Sequence, residues 1–515
     1  MTFITRIGTA MEGAQRWDST LIKISGISLM SVGVVMLVPL ITGLIYGEDI
    51  TPFLYPLIGC LCASIPMLVL FRFSKNMRTV DGLLAIMVVW GVITIVSSIP
   101  FILSGMSIID GWFESVSGFT TTGATVITDL ESCSRCLLIW RSFTQWTGGI
   151  AIILIFLALF PMLGLGGRSL FSNEMSGSGS KNMTTKMTDM AIQFVVIYAI
   201  LSSIFLLAAV IMGVDPFEAV CLTFSTISTG GFMIHSETAV GFTWYVQVLI
   251  MVFMFMGATN FYLHYQRIYR KKGAGYLKNT EFRWMVTIFA IASLFVLVTT
   301  LSNDRGILPQ IKDSIFAAVS IGSSTGYMVL ESSVWADVTA GGVGILFLLA
   351  LIGGSSGSTS GGIKVGRVAT LMKYLTVDVK KRLYPRGVFE TKVGGEVVDE
   401  GSLSAAQTLF ILFTLTILAG MVGLLILEPT ISLENAVATS LTTVTNCGFV
   451  GPFSQTADLT QSFAIFSGPT KLFISALMWV GRLEIGTAVI LVTPYFWKEI
   501  LKGRRKIKRD KKSKA

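Results

Sequence analysis

The chain has 515 residues, of which 52% are hydrophobic and 13% charged, against about 25% charged in a soluble domain. That composition, with a mean hydropathy of +0.73, excludes an ordinary soluble fold and any counting of domains by length. The net charge of +9 does not point to nucleic acid, because the last stretch, KEILKGRRKIKRDKKSKA (498–515), holds ten Lys/Arg and two acidic residues. Such a run directly after an apolar span is a topology signal or a contact for anionic lipid headgroups.

The opening MTFITRIGTAMEGAQRWDS has no short apolar core followed by a small-residue cleavage site. The first apolar stretch therefore reads as a retained helix. A membrane helix needs about 20 apolar residues. Ten segments qualify: 24–46, 53–71, 83–103, 139–160, 190–212, 244–265, 284–301, 342–370, 405–427 and 472–497, the eighth interrupted by a Gly/Ser run. The connections FRFSKNMR (71–78), RIYRKKGAGYLKNTEFR (267–283) and VKKRLYPR (379–386) are basic, as is the tail, and Arg168, Lys181 and Lys186 occupy the remaining connection on that side. The alternate connections carry acidic residues. The positive-inside rule then places both termini in the cytoplasm.

Six cysteines are few for this length. Cys60, Cys62 and Cys221 lie in apolar surroundings that suit packing. Cys133 and Cys136 make a lone CxxC, but a zinc site needs about four ligands, and His235 and His264 lie far off in sequence. A loop disulfide or two free thiols remain. His264, ending an apolar span, reads as interfacial.

Four glycine motifs stand in the acidic-side connections: TTTGAT (120–125), STGGF (228–232), SSTGY (323–327) and TNCGFVG (445–451). Aligned on Gly123, Gly231, Gly326 and Gly448, each has a helix-starting residue thirteen positions upstream, namely Asp110, Glu218, Asp313 and Asn435. The moderately apolar segment between is too short to cross a bilayer and suits a re-entrant half-helix. Non-helical backbone at membrane depth survives only where protein or water surrounds it. Four such turns around one axis can offer carbonyl oxygens in place of the hydration shell of a monovalent cation. Glycine permits the φ values that aim successive carbonyls inward, and the C-terminal ends of the half-helices favour positive charge. A single motif of this kind is an ordinary loop; four at matched position and sidedness form an internal repeat.

With GFTTTGAT, STISTGGF, SSTGY and TNCGF in four filter positions, the chain resembles the Trk/Ktr/HKT potassium transporter superfamily over nearly its whole length. LFPMLGLGG (159–167), GGSSGSTSGGIK (353–364) and the extra N-terminal pair of spans resemble TrkH-like subunits of the Trk branch. The implied organisation is an N-terminal helix pair (1–79), four pore repeats (80–165, 166–275, 276–395 and 396–497) and a basic tail (498–515). The fold class is thus an all-α polytopic membrane protein. The implied potassium-binding residues are Thr121, Thr122 and Gly123; Thr229, Gly230 and Gly231; Ser324, Thr325 and Gly326; and Asn446, Cys447 and Gly448. In the resembling family, serine at the first aligned glycine accompanies Na+ preference; here it is Gly123.

The run Gly353, Gly354, Ser355, Ser356, Gly357, Ser358, Thr359, Ser360, Gly361, Gly362 contains GxSxG. A nucleophile elbow needs a preceding strand and a histidine partner, and no histidine follows this run in the chain. Lys364 is followed by Val365, so no Walker A exists either. This density of Gly and Ser opposes a helix, and a flexible loop is expected; the resemblance makes it, with Lys364, a gate. Arg482 lies inside the tenth span, where a charge costs about 2.5–3.5 kcal/mol on insertion scales. An i,i+2 pairing with Glu484 does not share a helical face. A pore-facing cation is expected, which the resemblance makes part of the gate.

The expected function is potassium uptake across the bacterial inner membrane by gated, channel-like permeation, with Na+ and Rb+ as further candidate ions. No enzymatic activity and no organic cofactor are expected; K+ is the transported ion. A symporter coupled to H+ or Na+ is the alternative, weakened by the lack of intramembrane carboxylates apart from Glu484. An intramembrane hydrolase is remote. The resemblance also implies a homodimer and a cytoplasmic nucleotide-binding regulator of the TrkA type.

Overall fold

The computed structural model describes residues 16–72, 79–159, 180–235, 241–270, 275–301, 306–327, 340–448, 462–483 and 485–500. The opening segment, most of the LFPMLGLGG motif, Arg168, Glu484 and tail residues 501–515 lie outside the described residues.

The chain is an all-α polytopic membrane protein. In order, the helices are α1 (Arg16–Val35), α2 (Leu37–Tyr46), α3 (Thr51–Leu70), α4 (Thr79–Leu103), α5 (Ile108–Phe119), α6 (Arg135–Leu159), α7 (Ser180–Ile211), α8 (Pro216–Ile227), α9 (Trp244–Gly257), α10 (Phe261–Tyr265), α11 (Thr280–Thr300), α12 (Ile307–Gly322), α13 (Ala340–Ile352), α14 (Val365–Leu383), α15 (Glu400–Leu427), α16 (Leu433–Val444), α17 (Gly468–Arg482) and α18 (Ile485–Val492). Between α14 and α15, Lys392–Val393 pairs antiparallel with Glu396–Val397. Among the described residues, seven segments are long and apolar enough to cross a membrane unbroken. Their outer faces are apolar and exposed, as at Ile211 and Ile426, where lipid is the solvent.

Three expected spans are broken. The sixth bends by 98° between α9 and Phe261–Tyr269. Asn260 causes the restart: its side chain accepts the Tyr262 N–H at 2.9 Å and caps α10. His264 follows Asn260 on α10. It is buried, and its ring joins the Met256 carbonyl (3.1 Å) to the Tyr276 hydroxyl (2.9 Å), bracing the bend. The eighth span is interrupted by residues 353–364, and the tenth breaks after Arg482.

The expected helix starts also shift. Ser107, Asp215 and Ser432 are the capping residues, three positions before the expected ones. The amide of Asp110 donates to Ser107 Oγ at 3.1 Å, that of Glu218 to Asp215 Oδ1 at 3.3 Å, and that of Asn435 to Ser432 Oγ at 3.2 Å. Asp110, Glu218 and Asn435 thus occupy the third helical position, where a capped amide is expected. Asp313 is no cap, because α12 starts earlier, after Gly306.

The chain divides into two compact units. One comprises Met1–Ser115, Cys133–Trp140 and Leu483–Ala515. Its core includes Val32, Met36, Phe53, Phe101, Cys136 and Trp140. Glu48 caps α6 by accepting the amides of Arg135 and Cys136, both at 2.9 Å. Burial works to raise its pKa, but these two bonds outweigh it and hold the carboxyl below its ordinary value. Cys133 and Cys136 are not joined in a disulfide. The other unit comprises Val116–Ser132 and Arg141–Arg482. Its core includes Ile197, Tyr198, Phe205, Met254, Phe261, Met285 and Phe316, and it contains all four glycine motifs.

Candidate functional site

The four half-helices end in one way. The amide of Thr121 donates to the Gly118 carbonyl (3.0 Å) and that of Thr122 to Ser117 (2.9 Å). The same pair recurs as Thr229 to Thr226 (3.1 Å) and Gly230 to Ser225 (2.9 Å), and as Ser324 to Ile321 (3.0 Å) and Thr325 to Ser320 (2.9 Å). It recurs once more as Asn446 to Thr443 (3.2 Å) and Cys447 to Thr442 (2.8 Å). This is the Schellman closure, whose left-handed residue is usually glycine. Here that residue is Thr121 (φ 51°), Thr229 (φ 52°), Ser324 (φ 59°) or Asn446 (φ 53°). Each such position costs about 1–3 kcal/mol and persists only where its surroundings over-determine it. Two residues on, Gly123, Gly231, Gly326 and Gly448 have φ of 84°, 85°, 79° and 60°.

Neighbouring turns interlock. A Cβ on Gly123 would collide with the Gly230 carbonyl oxygen, one on Gly231 with that of Thr325, and one on Gly448 with that of Thr122. The first segment therefore lies against the second, the second against the third, and the fourth against the first. The carbonyl oxygens of Gly230, Thr325 and Thr122 lie against Gly123, Gly231 and Gly448, each the glycine of the preceding segment.

Polar side chains brace the turns from behind. Gln145 Nε2 donates to the Gly230 carbonyl (2.7 Å), while its Oε1 accepts from Ser225 Oγ (2.8 Å) and the Phe232 amide (3.1 Å). Asn446 Nδ2 donates to Thr122 Oγ1 (3.0 Å) and the Met478 carbonyl (2.9 Å). Ser320 Oγ donates to the Tyr327 carbonyl at 2.7 Å. Arg141 is buried, donating to the Met233 carbonyl (3.1 Å) and Thr125 Oγ1 (2.9 Å) under the Phe232 ring. Gly148, Gly257 and Gly481 let α6, α9 and α17 pass against the terminal carbonyls of α5, α8 and α16, at Phe119, Ile227 and Val444.

Gln145 and Arg141 were not singled out from sequence. Their signal is a polar residue within the apolar span that follows a turn, in IWRSFTQW. We expect Gln145→Leu to strand the Gly230 carbonyl and the Phe232 amide, each worth about 1–3 kcal/mol when buried without a partner. Thermal unfolding in detergent should shift to lower temperature, and an unchanged midpoint would show that these bonds carry no stability.

Residues 353–364 are not loose, contrary to the flexible loop expected. All but Ser356 and Lys364 are buried. The amides of Ser355 and Thr359 donate to the carbonyls of Ala258 (2.9 Å) and Gly257 (3.2 Å), at the break in α9. The loop also touches the turns: Thr359 Oγ1 lies 3.1 Å from Thr229 Oγ1, and the Gly361 amide donates to Ser324 Oγ at 2.7 Å. Glycine and serine densely placed here let backbone pack on backbone, as at Gly361, whose Cβ would meet the Thr445 carbonyl oxygen. Ser355 Oγ, 3.6 Å from Met285 Sδ, is buried. Lys364 sits at φ 85°, and its Nζ donates back to the Ser360 carbonyl.

Arg482 ends α17 and is buried beside the loop. Its Nη1 donates to the Thr359 carbonyl at 2.9 Å. Its Nε and Nη2 have no hydrogen-bond partner among the described residues. The arrangement can surround a small cation with backbone and hydroxyl oxygens.

The family model described as "TrkH: Cation transport protein" matches residues 58–498. The chain is 30% identical to the Trk system potassium uptake protein TrkH of Vibrio parahaemolyticus over 492 residues, covering 93% of this chain and 99% of that protein. It is 30% identical to the Trk system potassium uptake protein TrkG of Escherichia coli, covering 82% and 86%. The crystal structure of the potassium transporter TrkH from Vibrio parahaemolyticus superposes with a TM-score of 0.83 at 29% identity, covering 93% of this chain and 99% of that one.

Proposed function

We propose that this chain, which belongs to the TrkH family of cation transport proteins, takes up potassium across the bacterial inner membrane by gated, channel-like permeation. The observation that carries this is the interlocking of four turns of equal backbone geometry around left-handed Thr121, Thr229, Ser324 and Asn446. In this reading the backbone carbonyls of the twelve motif residues replace a potassium hydration shell. The relatives' description as potassium uptake proteins supports the ion.

The architecture that goes with this reading has ten crossings: a helix pair at 1–79, then pore repeats at 80–165, 166–275, 276–395 and 396–497. The broken sixth, eighth and tenth spans count as single crossings because non-helical backbone at membrane depth is tolerated where protein surrounds it. Both termini lie in the cytoplasm by the loop charges, and the basic tail contacts anionic headgroups. A homodimer with a cytoplasmic, TrkA-like nucleotide-binding regulator completes the system.

In this reading the loop from Gly353 to Lys364, with Arg482, is the gate. It is hydrogen-bonded to the turns at Thr229 and Ser324, and so obstructs the path beneath them. Deleting Ser358–Gly361 should raise resting K+ flux in proteoliposomes, since the bonds to Thr229, Ser324 and Arg482 are lost together. A folded, inserted deletion variant with unchanged leak would refute the gate. Voltage-clamped flux separates the channel from a symporter: the channel's reversal potential follows K+ alone, and a symporter's shifts with the H+ or Na+ gradient.

A further inference from the structure

The loop is held by a residue that belongs neither to it nor to the turns. Glu281 lies in the first turn of α11. Its Oε1 accepts the amide of Ser356 at 2.7 Å and that of Gly366 at 3.2 Å. Ser356 stands where the chain enters the loop, and Gly366 where it has left it and begun α14. One carboxylate oxygen thus pins both ends of the excursion.

Two further observations point to this pinning. The first amides of a helix need acceptors from outside the helix. The N-cap of α14 is Lys364, which makes no side-chain cap bond and cannot accept one. Glu281 supplies the acceptor from another helix, and a carboxylate at a helix N-terminus is favoured by the helix dipole. Second, the approach requires glycine. A Cβ on Gly366 would stand 2.8 Å from Glu281 Oε1 and 3.3 Å from Ser356 Oγ.

We propose that Glu281 is the latch that sets the resting position of the loop, a positioning residue acting through the Ser356 and Gly366 amides. This rests on the gate reading of residues 353–364. Amide bonds to a carboxylate are charge-assisted and stronger than neutral ones, and moving the loop breaks the Ser356 bond. α11 begins within the basic connection 267–283, so a displacement of its first turn is transmitted to the loop. The latch thereby links the position of that connection to the pathway.

The test compares the full-length parent, Glu281→Ala, Glu281→Gln, Gly366→Ala and the Ser358–Gly361 deletion in proteoliposomes. Rb+ flux is read per inserted molecule, together with the K+/Na+ permeability ratio. Glu281→Ala should raise basal flux at least about tenfold, as expected for losing a hydrogen bond to a charged group. Glu281→Gln, which keeps one acceptor oxygen, should raise it less. Gly366→Ala, which leaves Glu281 in place but pushes its carboxylate away, should also raise it. Selectivity should match the parent in all three. If the deletion raises flux while Glu281→Ala and Gly366→Ala do not, the latch is wrong and the gate stands. If the deletion raises nothing either, the gate reading fails and takes the latch with it. Reduced insertion with unchanged flux per molecule would make Glu281 a structural residue and overturn the proposal.

Discussion

Arg482→Ala should raise potassium flux per inserted molecule by more than about tenfold. At an effective dielectric of about 20, a unit charge roughly 8 Å from a cation repels it by about 2 kcal/mol. The guanidinium Nε and Nη2 have no hydrogen-bond partner among the described residues. A buried charge so incompletely satisfied is costly, which favours a role over mere packing. Alanine also removes the bond from Nη1 to the Thr359 carbonyl (2.9 Å), so it releases the loop as well. Both effects act in the same direction. Arg482→Gln should resemble alanine, because it loses the charge. Arg482→Lys keeps the charge on a thinner stem and should restore much of the block, which isolates the electrostatic part. A structural arginine predicts the reverse: less folded protein, unchanged flux per molecule and no special status for lysine.

Gly123→Ser should lower the K+/Na+ permeability ratio by at least about tenfold, the equivalent of ~1.4 kcal/mol. The added Cβ would collide with the Gly230 carbonyl oxygen and stand 3.3 Å from the Gly231 Cα. It would also place an L side chain at φ 84°, where left-handed backbone costs roughly 1–2 kcal/mol. Neither neighbour is the free end of a flexible side chain, so the backbone of two turns has to separate. Gly231→Ser and Gly448→Ser face the same collision, with the carbonyls of Thr325 and Thr122. All three should lose selectivity together, because each opens one seam of the same interlocked set. A parent-like ratio in Gly123→Ser would show that the turns tolerate the spacing and do not set selectivity.

The glycine positions, the half-helices before them and the unusual Gly/Ser run were legible in the sequence because they are local departures from an apolar background. The left-handed Thr121, Thr229, Ser324 and Asn446 were placed in the site, but their backbone state was not legible. Threonine at positive φ contradicts its own propensity, and only the packing of neighbouring turns enforces it. The starts of α5, α8 and α16 were misplaced by three residues because Asp110, Glu218 and Asn435 are acceptable caps in isolation, and Ser107, Asp215 and Ser432 are better placed. The breaks at Asn260 and after Arg482 were hidden inside continuous apolar runs. Gln145 and Glu281 were invisible for a different reason: each acts on backbone amides and carbonyls 75 or more residues away, a relation no local pattern carries. Propensity alone makes the Gly/Ser run a flexible loop, whereas the same small residues allow the close backbone packing seen at Gly354 and Gly361.

The central claim is that the four turns form one potassium-selective path. Radioactive Rb+ uptake into proteoliposomes of the purified chain tests it most directly, with K+ and Na+ as competitors at equal concentration. The account predicts uptake that K+ suppresses strongly and Na+ suppresses little. Equal suppression by the two ions in the unmutated protein would contradict it.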